Sequence, residues 1–202
     1  MTFTRLQLFK SVLFVLCLIP AILLGWKFYH NQLGANPFEV LTRNSGEWTL
    51  RFLLLTLLMS PLREILQQSW PLHLRRMLGL YSFFYACLHL MTYLWFDQFF
   101  DWQEIMTDIA ERPFITVGIT AWILLVPLAV TSTKGMMRRL GRRWKRLHRS
   151  IYVIACLGVL HFIWLVKADL REPLIYAAIL IVLLGYRLAK WGQKHEFGIA
   201  TR

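Results

Sequence analysis

At 202 residues the chain has the length of a single domain, but 57% hydrophobic against 17% charged residues is too apolar for a fold wetted on every side. The apolar residues fall in long blocks, not in the stripes of a soluble bundle, and this excludes an ordinary globular domain. A formal net charge of +12 would suit nucleic acid if it covered one surface. Here the basic residues stand between apolar blocks, where they would meet anionic lipid headgroups.

Six apolar runs approach the roughly 17–25 residues a helix needs to cross a bilayer. In chain order they are 11–29, ending in Lys27; 48–62, shorter, with Arg51 near one end; 77–96, uncharged but for the histidine His89; 114–133, uncharged; 150–166, containing His161; and 174–191, with Arg187 and Lys190 at its exit. Unbroken runs of this length exclude barrel strands, which alternate over about ten residues. The expectation is an all-α six-transmembrane bundle forming one integral membrane domain over 1–202. The first run follows Arg5 and Lys10 as a signal peptide would, but 20–30 offers no small-x-small cleavage site, so it reads as a retained span. The cysteines Cys17, Cys87 and Cys156 all lie in apolar runs without a Cys-x-x-Cys pair, and read as small core residues.

Charge orients the bundle. Seventeen of the Lys and Arg residues, among them Arg63, Arg75, Arg76 and eight between Lys134 and Arg149, fall on the side of both termini, against six on the other. The positive side stays in the cytoplasm. Acidic residues lean the other way, with Asp97, Asp101, Glu104, Asp108 and Glu111 in one outer connection, and Trp26, Trp48, Trp95, Trp102 and Trp164 mark the outer interface. The two longest connections, 97–111 and 134–149, read as loops, and no internal repeat is evident.

Ionisable residues inside a bilayer are costly and point to function. His89 and His161 each stand about 12 residues into parallel spans, roughly 18–20 Å from the cytoplasmic face. Two imidazoles at one depth can ligate one iron from both sides, although either could instead hydrogen-bond a neighbouring helix. His148 stands about 20 Å below His161, a spacing that suits a second cofactor. On a straight helix the two side chains would point about 140° apart, so His148 needs a kink or an irregular first turn. A second haem with a non-histidine ligand, a flavin, or no cofactor at this level all remain open. His30 and His195 read as bystanders, and His73 as a loop residue.

The run 131–149 is strongly basic. It reads either as an anchor on anionic lipid or as a site for an anionic cofactor such as a flavin phosphate, with Arg138, Arg139, Arg142 and Arg143 as donors. No glycine-rich dinucleotide fingerprint is present.

Several motifs in order carry a resemblance: Leu33-Gly-Ala-Asn-Pro37; Arg75-Arg-Met-Leu-Gly-Leu-Tyr-Ser-Phe-Phe-Tyr-Ala-Cys-Leu-His89; Arg112-Pro-Phe-Ile-Thr-Val-Gly118; Thr131-Ser-Thr; Leu140-Gly-Arg-Arg-Trp-Lys-Arg-Leu-His148; and Pro173-Leu-Ile-Tyr176. Together they resemble the MsrQ (YedZ) family, haem-binding membrane subunits of the bacterial MsrPQ protein-methionine-sulfoxide reductases. More distantly the chain is similar to the ferric-reductase-like transmembrane domain, whose fuller members carry four histidines for two haems. Only His89, His148 and His161 match here.

The resemblance implies a relay in the bacterial inner membrane. Electrons would come from the quinone pool or a cytoplasmic flavin reductase, pass through haem b and FMN, and reach a periplasmic molybdopterin-dependent MsrP-like reductase. It implies His89, His161 and His148 as haem-iron ligands, and Arg75, Arg76, Arg142 and Arg143 as cofactor-binding residues. The catalytic subunit would be the partner, and no nucleic acid is involved. Two rivals remain at this stage: a small metal or proton transporter using the same histidines, and a structural anchor.

Overall fold

In a computed structural model, which describes residues 3–199, every regular element is helical. Arg202 lies outside the described residues, as do the side chains of Arg5, Lys194 and His195. The long helices are α1 (Phe3–Tyr29), α2 (Pro37–Leu66), α3 (Trp70–Thr92), α5 (Pro113–Val130), α8 (Ile151–Leu165) and α9 (Arg171–Ile199). Short helices α4 (Trp102–Glu111), α6 (Lys134–Leu140) and α7 (Arg142–Leu147) fill the two connections expected to be loops. Sequence explains the first of these. The Asp101 carboxylate accepts from the Gln103 and Glu104 amides, an N-cap that satisfies two orphan donors.

Five stretches are long and apolar enough to cross a membrane: Leu6–Tyr29, Trp70–Asp97, Pro113–Val130, Arg142–Leu165 and Arg171–Gln193. The remaining expected span, 48–62, lies inside α2. This helix runs for 30 residues, about 45 Å at 1.5 Å each. Its ends carry Glu39, Arg43, Glu47, Arg63 and Glu64, and Arg51 lies further in. All three cysteines are free thiols.

Two antiparallel pairs form the bundle, α2 against α3 and α5 against α8, with α9 closing one side and α1 the other. The main core joins Leu53 and Leu57 of α2, Leu125 of α5, Ile154 and Ala155 of α8 and Leu183 of α9. A second core, rich in aromatic rings, ties α1 to the rest through Cys17, Phe52, Tyr81 and Tyr85. The apolar side chains of α1 and α9 that face outward, such as Val15, Ile22, Ile181 and Val182, suit lipid contact.

Proline breaks are answered by side chains. Pro61 has no N–H to give to the Leu57 carbonyl four residues back, and Arg187 of α9 donates to that carbonyl instead. Near Pro20, the Tyr85 hydroxyl enters the helical ladder of α1, accepting from the Ala21 amide at 3.0 Å and donating to the Cys17 carbonyl at 2.8 Å. Each bond fastens a lipid-facing helix to the core.

Two irregular turns position the functional residues. The last turn of α3 widens into a π-helical turn, Tyr93–Asp97, which leads to the buried Gln98. Before α8, His148–Ser150 form a 3-10 turn. His148 thus stands in an irregular first turn, the condition the straight-helix register required.

Candidate functional site

The structure brings His89 of α3 and His161 of α8 together. Their ring centroids are 6.0 Å apart and the planes cross at 79°. His89 Nδ1 donates to the Thr42 carbonyl at 2.8 Å, and His161 Nδ1 to the Phe114 carbonyl at 2.6 Å. A carbonyl only accepts, so each Nδ1 carries the proton and each Nε2 keeps its lone pair. A second partner that fixes the tautomer is the usual support of a metal-ligating histidine.

Glycines make room for the rings. A Cβ at Gly46 would stand 3.0 Å from His89 Nδ1 and Cε1, and one at Gly118 would stand 2.8 Å from His161 Nδ1. Any side chain would push the imidazole off its carbonyl. Histidine and carbonyl are 47 residues apart in both halves. The whole set repeats at one interval, Thr42, Gly46 and His89 in the first half matching Phe114, Gly118 and His161 in the second. The internal repeat unseen in the sequence is therefore present in the geometry. It escaped because the carbonyl partners are backbone atoms, indifferent to residue type. One signal was available: glycine inside an apolar helix marks close approach.

Both rings border a cavity of about 340 Å³ between the two helix pairs. Its deep part is lined by Leu50, Leu53, Ala86, Leu125, Ile154 and Phe162. The part nearest α4 is polar, with Thr42, Arg43, Glu47, Asp97, Gln98 and Arg112. Among the described residues, three buried side-chain polar atoms lack a hydrogen-bond partner: Thr42 Oγ1, Gln98 Oε1 and Trp122 Nε1. All three residues line this cavity. Buried polar groups are normally satisfied, so their collection here indicates a polar-edged ligand.

These features fit iron held in a flat macrocycle. Metal–nitrogen bonds of about 2.0 Å on opposite sides, with ring centres about 1.1 Å behind each nitrogen, place imidazole centroids about 6 Å apart. Among the described residues there is no cluster of three or more His, Cys, Asp or Glu suited to a bare metal ion. Two imidazoles bordering one cavity with an apolar depth suit a metal whose other ligands come from a ring.

A second cavity, of about 180 Å³, opens toward α6 and α7, with Leu125 forming a wall common to both. Arg75, Arg76, Trp144 and His148 line it. The Thr131 hydroxyl donates to the Pro127 carbonyl at 2.6 Å, so it accepts from His148 Nε2 at 3.0 Å and that nitrogen carries a proton. Trp144 stacks on the His148 ring at 3.9 Å. Arg142 and Arg143 do not line this cavity; they lie exposed on α7, beside it in sequence. His73 lies in the first turn of α3, its Nδ1 donating to the Ser69 carbonyl, and His30 packs on Trp26 and Tyr29. Neither borders either cavity.

The model of the ferric reductase like transmembrane component matches residues 45–159, which take in most of both helix pairs with His89 and His148 and end two residues before His161. Among curated proteins the chain is 54% identical to a protein-methionine-sulfoxide reductase heme-binding subunit MsrQ of Herminiimonas arsenicoxydans, over 95% of this chain and 89% of that one. The same subunit of Azospira oryzae is 53% identical, over 92% and 81%. That of Rhodospirillum rubrum is 52% identical, over 97% and 95%. With the fold, the paired histidines and these likenesses together, the chain belongs to the ferric-reductase-like transmembrane family and, within it, to the MsrQ subunits of bacterial protein-methionine-sulfoxide reductases.

Proposed function

We propose that this chain is a haem-carrying, electron-transferring subunit of a protein-methionine-sulfoxide reductase in the bacterial inner membrane. One observation carries the reading. Two imidazoles, each protonated at Nδ1 by its bond to a carbonyl, share a slot with ring centres 6.0 Å apart. His89 and His161 would hold the iron of haem b, which when bound supplies one-electron transfer. Thr42 and Phe114 orient the rings through their carbonyls, Gly46 and Gly118 let the helices close on them, and the leucines and Ile154 keep water out. Curated relatives named as heme-binding subunits support the cofactor.

We infer six spans with both termini in the cytoplasm, α2 supplying the second crossing. The bias of Lys and Arg toward the α6–α7 end supports this orientation. The deep cavity then lies toward the periplasm and the smaller one toward the cytoplasm. At the smaller cavity His148 Nε2 is engaged by the Thr131 hydroxyl, and Arg75 and Arg76 beside it in the lining offer donors that suit an FMN or a quinone better than a second iron. Arg142 and Arg143 on α7 would add positive charge near its entrance. Electrons would enter there from the quinone pool or a cytoplasmic flavin reductase. They would leave at the α4 end to a periplasmic molybdopterin-dependent MsrP-like partner.

Reduced-minus-oxidised absorption spectra of the purified chain test this reading. A b-type signal is expected in the wild type and lost in His89→Ala and in His161→Ala. A colourless wild type after expression with ample haem, or a signal kept in both variants, would overturn the assignment.

A further inference from the structure

The deep cavity carries its charged side chains at one end, and the polar groups there are chemically specific; Trp122 Nε1 is an unpartnered donor further along α5. Asp108 of α4 is buried; it accepts from Gln98 Nε2 at 2.5 Å and from the Tyr93 hydroxyl at 3.2 Å. It also pairs with Arg112 through Nε at 3.2 Å. A guanidinium has five N–H donors, and this pair is made through only one of its nitrogens. Asp108 therefore fixes Arg112, the cap residue between α4 and α5, at the wall of the cavity. The other cavity arginine, Arg43, is held by both Glu47 and Glu172. The same lining holds the unpartnered Thr42 hydroxyl and the unpartnered carbonyl oxygen of Gln98, itself nine-tenths buried. Gln98 cannot turn its amide over to satisfy that oxygen without setting it against the Asp108 carboxylate.

Haem b is an amphiphile. One edge bears two carboxylate arms, and the opposite edge is hydrocarbon. The cavity has a similar polarity, with its charged groups at the α4 end and, Trp122 Nε1 apart, leucine, isoleucine and phenylalanine at the other. Resting on the haem reading above, we propose that Arg112 and Thr42 receive the carboxylate arms of the macrocycle, so that its carboxylate edge points to the α4 end. Arg112 binds an ionised carboxylate by charge-assisted hydrogen bonds and the Thr42 hydroxyl adds a neutral one. Gln98 Oε1 accepts from a carboxylic acid or from water bound to it. Asp108 is a positioning residue that holds Arg112 and Gln98 in place.

The test compares haem b with its dimethyl ester, in which both arms are neutral and esterified, titrated into the full-length chain in detergent. Wild-type protein should bind haem b about tenfold more tightly than the ester, the scale of one hydrogen-bonded charge. Arg112→Gln should lose that preference while binding the ester as the wild type does, with the bis-imidazole absorption kept. Arg112→Lys should restore part of the preference, and Thr42→Val should lower it by a smaller factor. Ester binding serves as the folding control. Equal affinity of the wild type for the two macrocycles, or an undiminished preference in Arg112→Gln, would overturn the carboxylate assignment and leave the imidazole pair standing. A wild type that takes up neither macrocycle would overturn the haem reading itself.

Discussion

Gly118→Ala separates the cradle of the imidazole from the imidazole itself. The new Cβ would stand 2.8 Å from His161 Nδ1 and 2.9 Å from Cε1. To reach ordinary contact the ring must retreat from α5 by about 0.6–0.7 Å. The Phe114 carbonyl that orients the ring belongs to the same helix, so retreat stretches the 2.6 Å bond to about 3.2–3.3 Å, the weak end of the hydrogen-bond range. Metal sites tolerate errors of about 0.2 Å in ligand distance, and losing a supporting hydrogen bond costs roughly 10–100-fold in affinity. Alanine is the better helix former by up to about 1 kcal/mol, so α5 itself should not suffer. The expected outcome is a folded protein of unchanged or slightly higher thermal stability without added haem. Its haem content should fall at least tenfold, or its spectrum should shift away from two nitrogen ligands. Gly46→Ala, with its closest approach at 3.0 Å, should show the same defect more mildly. Full haem content with an unchanged bis-imidazole spectrum in Gly118→Ala would refute the claim that the glycine sets the ring position.

Tyr85→Phe removes one hydroxyl that makes two bonds to the opened turn of α1; at about 0.6–1.7 kcal/mol for such bonds between membrane helices, detergent-resistant thermal stability should fall by about 1–2 kcal/mol. The same variant should expose α1 to proteolysis before the remaining helices. Arg187→Met strips the donor from the Leu57 carbonyl that Pro61 leaves open, so it should destabilise the α2–α9 contact, while Pro61→Ala combined with it should recover much of the loss. His148→Ala should leave the deep-site absorption unchanged, because His148 borders only the second cavity, but should slow reduction by added quinol or reduced flavin. Equal loss of the deep-site signal in this variant would show that the two cavities are not independent.

Most of the long helices were legible because each holds an apolar run with little charge over most of a bilayer's thickness, a pattern no soluble fold needs; α2, with Arg51 near its middle, is the exception. Their ends were less so: α2 begins at Pro37, well before the apolar run 48–62, because Asn36 and Pro37 start a helix while the residues are still polar. That extension matters, since Thr42 and Gly46 lie in it and support His89. The helix α4 was readable in principle from Asp101 and Glu104, the spacing of a capping box. Depth along a helix is simple arithmetic, so the matched level of His89 and His161 could be read from spacing. Their facing could not, because it depends on how two helix pairs close across a cavity. Nor could the roles of Thr42 and Phe114, whose contribution is a backbone oxygen any residue would offer.

The repeat that relates the two histidines also bears on the second level. The interval that carries His89 onto His161 carries Arg76 onto His148, and both residues line the smaller cavity. At the first level each half of the bundle offers the same imidazole, and the halves are equivalent toward whatever lies between them. At the second level one half offers an imidazole whose Nε2 proton is spent on Thr131, and the other a guanidinium that cannot be a ligand because it has no lone pair to give. On the proposed reading, a symmetric pair of histidine ligands there would need two changes, the replacement of Arg76 and the release of His148. What the asymmetry does supply is positive charge beside hydrogen-bond donors, the environment that stabilises a phosphate, a flavin ring or the oxygen of a quinone as it gains negative charge. On the function proposed above, one level would hold a metal ligand set and the other would handle charge arriving from the cytoplasmic side.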